Sequence, residues 1–164
     1  MSPSEPDWHQ IVNDIGPCLY RYFCGTFPPS QASDLVQESL IRLVQKHRLG
    51  EFSPDRGTLK SYAYGIARYV RLEACKAGPP FDLVDDERSL DVPEDPRDTS
   101  DSVHLRWAIQ QLKPIEQEII LQMIDAEFSL DQIAAGLNMP VGTVKSHVHR
   151  AKENLRQIME VKNE

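Results

Sequence analysis

Apolar residues recur at three- and four-residue spacing along this chain and nowhere alternate with period two for long, so the pattern predicts an all-α protein. Residues 7–24 form a first candidate helix, expected to be interrupted near Gly16-Pro17, and Gly25 to Pro29 then make a turn. Residues 31–48 carry Val36, Leu40, Leu43 and Val44 at helical spacing. A loop from Leu49 to Thr58 contains Gly50, Pro54 and Gly57, and after it Leu59, Tyr62, Ala63, Ile66, Val70 and Ala74 mark another apolar stripe. Further helices are predicted at about 102–112, 114–125, 129–137 and 142–160. Pro114 suits the first turn of its helix, and Ser129 followed by Asp131 and Gln132 is an N-cap pattern.

Between the two groups of helices the pattern stops. Residues 78–101 begin Gly78-Pro79-Pro80, continue with Pro93 and Pro96, and hold few large apolar residues. They read as an extended acidic linker, which divides the chain into residues 1–77, the flexible linker 78–101 and residues 102–164. The expected architecture is thus two small helical domains joined by an acidic flexible linker, the second a four-helix domain. Charge sharpens this division. The formal net charge is −7, which at first argues against a nucleic-acid partner. Yet residues 81–101 hold nine acids against Arg88 and Arg97, and the flanking parts are nearly neutral.

Other chemistry finds little support. Cys18, Cys24 and Cys75 are an odd set without a CxxC pair, and read as buried free thiols. His147 and His149 stand two apart, so on a helix they diverge and cannot share a metal. No paired carboxylates, no nucleophile with its base and no Gly-rich phosphate loop can be assembled, so no enzymatic activity and no cofactor are expected. No signal peptide and no apolar run of the roughly 18 residues that a membrane helix needs are visible, so the expected location is the cytoplasm, without membrane insertion.

Residues 129–150 carry the clearest constellation. A short helix with Ile133, Ala134 and Leu137 facing inward stops at Asn138-Met139-Pro140, and a second helix follows at once. Small Ala134 and Ala135 would let the two cross closely. This is the logic of a helix-turn-helix, in which the first helix braces and the second enters the major groove. Phased at about 100° per residue, Val144, Val148, Ala151 and Leu155 of the second helix fall on one arc, the core face. Ser146, His149 and Arg150 are then offered to base edges, while Lys145, Lys152 and Arg156 flank them toward phosphates. Thr143 and the free amides at the helix start offer a further phosphate contact.

With these residues in place, the sequence resembles the sigma-70 family of bacterial RNA polymerase specificity subunits. Residues 105–159 resemble the family's −35-reading domain. Leu112-Lys113-Pro114-Ile115-Glu116-Gln117-Glu118 is similar to its L-P-x-E-Q-R-E entry. Ile133-Ala134, Pro140-Val141-Gly142-Thr143-Val144-Lys145-Ser146 and His149-Arg150-Ala151 are similar to its I-A…P-x-G-T-V-K-S core and H-R-A continuation. Residues 34–77 resemble the family's other domain through Asp34-Leu35-Val36-Gln37-Glu38, Phe52 to Leu59, and Ile66-Ala67-Arg68. Two domains and this length resemble the small extracytoplasmic-function (ECF) subgroup.

The resemblance implies roles. The helix with Asp34, Gln37, Glu38 and Arg42 would dock on the clamp helices of core RNA polymerase. Loop 50–58 and the next helix would hold an unstacked base of a melted −10 strand, with Phe52, Arg56, Lys60, Tyr62, Tyr64 and Arg68 as candidates. Thr143, Lys145, Ser146, His149, Arg150 and Lys152 would meet duplex DNA at −35, and an anti-sigma factor would be a further partner. Tyr62 and Tyr69 stand where the family often has Trp and Asn, and the helix ends in Glu73-Ala74-Cys75-Lys76 where the family often has several Arg. The family also places acids before the docking signature, where this chain has Pro29-Ser30-Gln31-Ala32-Ser33. Phosphorylation of Ser30 or Ser33 would return negative charge to that helix start, against the alternative that a serine simply caps the helix. Two other readings compete: a stand-alone helix-turn-helix regulator without polymerase docking, and a helical protein-interaction adaptor.

Overall fold

The computed structural model describes residues 5–77 and 100–162, with the side chains of residues 104 to 161 in the second stretch. The chain divides into two compact units, Met1–Pro80 and Phe81–Glu164, and among the described residues all regular structure is helical. The first unit holds α1 (Trp8–Cys24), α2 (Pro29–Arg48), a single 3-10 turn (Pro54–Arg56) and α3 (Leu59–Lys76). The second holds α4 (Ser100–Gln110), α5 (Pro114–Asp125), α6 (Leu130–Leu137) and α7 (Val141–Lys162). Residues 78–99 of the expected linker lie outside the described residues, and its last two, Ser100 and Asp101, already belong to α4.

Asp7 starts α1, its carboxylate accepting from the Gln10 amide at 3.2 Å. The expected break at Gly16-Pro17 does not occur, and α1 runs through Pro17. A proline removes one backbone donor, but Pro17 and Asn13 are both exposed, so water can serve the carbonyl left over. Ile15, Leu19, Tyr22 and Phe23 meanwhile hold the helix against the core. Pro28 and Pro29 open α2, whose buried face is Ala32, Val36, Ser39 and Leu43. The buried Ser39 hydroxyl donates to the Leu35 carbonyl at 2.7 Å.

Two glycines define the loop between α2 and α3. Gly50, at φ +74°, lets its own amide reach the His47 carbonyl and the Glu51 amide reach Lys46, both at 3.0 Å. Gly57 adopts φ +142° just before Thr58, whose hydroxyl caps α3 by accepting from the Ser61 amide at 3.1 Å. In α3, Ala63, Ile66 and Val70 are buried as the stripe predicts, and Tyr64, Ala67 and Arg71 are buried as well.

In the second unit the N-cap pattern at Ser129 is a full capping box. Its hydroxyl accepts from the Gln132 amide at 3.2 Å, and the Gln132 side chain accepts from the Ser129 amide at 2.9 Å. Asn138, at φ +54°, ends α6 in the left-handed conformation, and α7 begins three residues later. Ile119, Ile133, Ala134, Leu137, Val144 and Val148 form one apolar cluster beneath this turn. Ala134 is buried at the crossing, whereas Ala135 is exposed and takes no part in it.

Candidate nucleic-acid interface and docking strip

The helix-turn-helix presents its predicted residues as a set. Val144, Val148 and Ala151 are buried, with Leu155 half-buried at the end of the same stripe. This packing turns the opposite face outward, so Thr143, Lys145, Ser146, His149, Arg150 and Lys152 are all exposed. Arg150 is held along α7: its Nε donates to the Ser146 carbonyl at 3.4 Å, and a terminal nitrogen lies 3.4 Å from His147 Nδ1. His147 was not among the candidates; its three-residue spacing from Arg150 was the available signal. Arg156 is engaged by Glu153 at 2.8 Å and by Glu160 at 3.6 Å. The Arg156 hydrogen bond holds Glu153 below the usual carboxylate range. Arg156 is therefore less available to phosphates than Lys145 or Lys152.

In the first unit Asp34, Gln37 and Glu38 are exposed on one face of α2. Arg42, the fourth residue expected in the docking strip, is already engaged within the unit. It pairs with Glu38 at 2.6 Å and with Glu73 at 2.8 Å, joining α2 to α3. Its hydrogen bond holds the Glu73 carboxyl below its ordinary range. Ile41 is 52% exposed on the same strip, four residues from Gln37 and three from Glu38. The sequence signal for it was an apolar residue out of phase with Val36, Leu40 and Leu43.

The candidates of the loop and α3 separate. Arg56 is exposed at the 3-10 turn, and Lys60 and Arg68 are half-buried. Phe52 and Tyr62 are half-buried and face each other at 5.4 Å between ring centroids. Tyr64 must be removed from the strand-facing set. It is 1% exposed, and its ring meets Tyr22 edge-on at 5.5 Å inside the unit, so no DNA strand can reach it. Tyr69 and Leu72 also lie outward on α3, at 67% and 39% exposure.

Cys18, Cys24 and Cys75 form no disulfide and are half-buried rather than buried. Among the described residues no three His, Cys, Asp or Glu side chains gather as a metal site, and no helix is long and apolar enough to cross a membrane.

Comparison with known proteins places these features in a family. Residues 17–77 match the model of Sigma-70 region 2, and residues 105–155 match that of Sigma-70, region 4. The RNA polymerase sigma-E factor of Streptomyces antibioticus is 28% identical over 162 residues, 96% of this chain and 87% of that protein. The ECF RNA polymerase sigma factor SigW of Bacillus subtilis (strain 168) is 32% identical over 143 residues, 77% of this chain and 74% of that protein. Among solved structures, the sigma factor RpoE in complex with the anti-sigma factor NepR from Bartonella quintana superposes with a TM-score of 0.72 at 22% identity, covering 94% of this chain and 98% of that one. CnrH, solved in complex with the cytosolic domain of CnrY, gives a TM-score of 0.68 at 17% identity over 94% of this chain and 88% of that one. With both regions present in order, and SigW matched over three quarters of its length, the chain belongs to the ECF group of RNA polymerase sigma factors.

Proposed function

We propose that this chain directs promoter-specific initiation by docking on the clamp helices of core RNA polymerase through Asp34, Gln37, Glu38 and Arg42, with exposed Ile41 beside them. The N-terminal domain, residues 1–77, then holds a melted −10 strand with the exposed loop tip around Arg56, with Lys60 and Arg68, and with the ring edges of Phe52 and Tyr62. The C-terminal domain, residues 102–164, sets α7 in the −35 major groove, where Ser146, His149 and Arg150 face bases and Thr143, Lys145 and Lys152 face phosphates. The polymerase performs the chemistry, so this chain needs no catalytic residue or cofactor of its own. It works in the cytoplasm, and an anti-sigma protein, such as RpoE has in NepR, is a further partner.

One observation carries this reading. A single chain joins an exposed polar strip, a pinned loop with an exposed tip, and a helix-turn-helix whose recognition face is cationic at its start. A stand-alone regulator or an adaptor would leave the strip and the loop without purpose. Run-off transcription on genomic fragments, with core polymerase and with or without the protein, tests it. New defined starts are expected only when both are present, and their absence would overturn the reading.

Individual contacts have distinct signatures. Arg150→Ala is expected to weaken promoter recognition by about 1–3 kcal/mol and to relax specificity at one position, if Arg150 reads a base. Lys152→Ala is expected to weaken all sequences alike and to lower the salt slope by about one. Titration of duplex promoter at several salt concentrations separates the two.

Neither Ser30 nor Ser33 caps α2, because Pro28 holds that position without a side-chain bond. Both serines are exposed, and the first turn contains no acid. Phosphorylation there adds charge where the helix start favours it, more at Ser30 in the first turn than at Ser33 in the second. Ser30→Asp is accordingly expected to strengthen polymerase binding more than Ser33→Asp, as read by co-migration with core enzyme. Equal, unchanged binding by both would remove the idea.

A further inference from the structure

The loop between α2 and α3 must keep one shape if its tip is to meet a DNA strand, yet residues Pro54 to Thr58 are all exposed, and their own backbone bonds, one 3-10 turn and the Thr58 cap, are local. Glu51, near its start, pairs with Lys46 at 2.6 Å, but both side chains are more than two-fifths exposed, and such a pair contributes little. What anchors the loop is a row of rings drawn from four parts of the unit. Trp8, in the first turn of α1, meets His47 edge-on at 5.1 Å and 86°. His47, in the last turn of α2, stacks on Phe52 at 5.8 Å and 25°. Phe52, inside the loop, meets Tyr62, in the first turn of α3, at 5.4 Å. The Trp8 indole N–H is buried and has no acceptor among the described residues. Burying that donor opposes folding, so the ring is kept there for its contacts rather than for a hydrogen bond.

We propose that Trp8 and His47 are positioning residues for strand capture: they clamp Phe52 from behind and so set the loop tip in the geometry that the melted −10 strand requires. Neither ring need touch DNA. The start of α1, far in sequence from the loop, thereby becomes part of the −10 machinery. Direct stacking of Phe52 on a base would tolerate a mobile ring, whereas a clamped Phe52 ties strand capture to Trp8 and His47, 44 and five residues before it in the sequence. The proposal rests on the functional reading above.

The test uses holoenzyme assembled with the full chain on a promoter fragment found by run-off transcription, probed with permanganate for unpaired thymines at −10. Four variants are compared with the wild type: His47→Ala, His47→Phe, Trp8→Ala and Trp8→Phe. The alanine variants are expected to lower permanganate reactivity at limiting holoenzyme on the order of tenfold, the effect of losing one or two ring pairs. Co-migration with core polymerase should be unchanged. The phenylalanine variants, which keep a ring, should restore opening, and Trp8→Phe also removes the buried donor.

Wild-type reactivity in His47→Ala would overturn the clamp. So would phenylalanine variants as impaired as the alanine ones, or alanine variants that lose core binding in step with opening, since that pattern marks a general loss of structure. A wild-type holoenzyme that opens no promoter would instead overturn the functional reading, and the clamp with it.

Discussion

Tyr64→Ala is expected to destabilise the N-terminal unit by about 3–5 kcal/mol, the range for deleting a large ring from a packed core. For a unit of this size that corresponds to a fall in melting temperature of more than about 10 °C. Tyr64 is 1% exposed and lies against Tyr22, which in turn touches Phe23 at 5.2 Å and carries the Arg71 guanidinium over its ring at 5.9 Å. Removing the Tyr64 ring opens a cavity at the meeting of α1 and α3, and the neighbouring rings can collapse only in part. Arg71, 4% exposed, also reaches Thr26 at 3.4 Å, so the hole would disturb a charged group held inside the unit. Tyr64→Phe keeps the ring and should unfold close to the wild type. Thermal unfolding followed by circular dichroism checks both. If Tyr64 met the −10 strand instead, Tyr64→Ala would melt like the wild type and lose only promoter opening.

The same residue explains what the sequence could and could not reveal. A helical stripe assumes one partner per helix. α2 packs against both α1 and α3, yet Val36 and Leu43 are buried where their spacing puts them. α3 also packs against two neighbours, and it buries a second arc, with Tyr64, Ala67 and Arg71 outside the stripe. Tyr62, by contrast, was in the stripe and lies half-exposed at its edge. No periodicity argument ranks two tyrosines separated by two positions when the number of packing partners is unknown. α5 shows the limit more sharply: Glu116, Glu118 and Asp125 are buried, although residues of this kind are almost never fully buried unless paired. Gln122 donates to Glu118 at 2.6 Å, a pairing that only the folded chain brings into view.

The helix-turn-helix was legible because its determinants are local. A capping box, a left-handed Asn138, a proline after it and a phased recognition face all lie within a few residues of one another. The ring row in the first unit was not, because Trp8, His47 and Phe52 are brought together only by the packing of α1 on α2. Arg42 hid its second partner for the same reason. Its spacing from Glu38 suggested a surface strip, while its pairing with Glu73 depends on where α3 comes to lie.

Ile133→Ala is expected to destabilise the C-terminal unit by about 2–5 kcal/mol, on the scale of the whole stability of a small domain. Ile133 is fully buried at the centre of the cluster formed with Ile119, Leu137, Val144 and Val148. α6 is only eight residues long, too short to persist as a helix without its packed face. Losing the brace frees the start of α7, so binding to duplex −35 DNA should fall by a similar free energy. Co-migration with core polymerase should survive, because the proposed docking residues Asp34, Gln37 and Glu38 belong to the other unit with a core of its own. Ile133→Val, expected to cost about 0.5–1.5 kcal/mol, should retain binding. Ser129→Ala, which removes half of the capping box, should cost about 1 kcal/mol, in the same range as Ile133→Val. Arg150→Ala belongs at the other end of the stability series, since its side chain is exposed and supports no core residue. Stability and base discrimination should therefore rank Ile133 and Arg150 in opposite order. Duplex binding by Ile133→Ala with the wild-type affinity and salt slope would mean that the recognition helix stands without its brace.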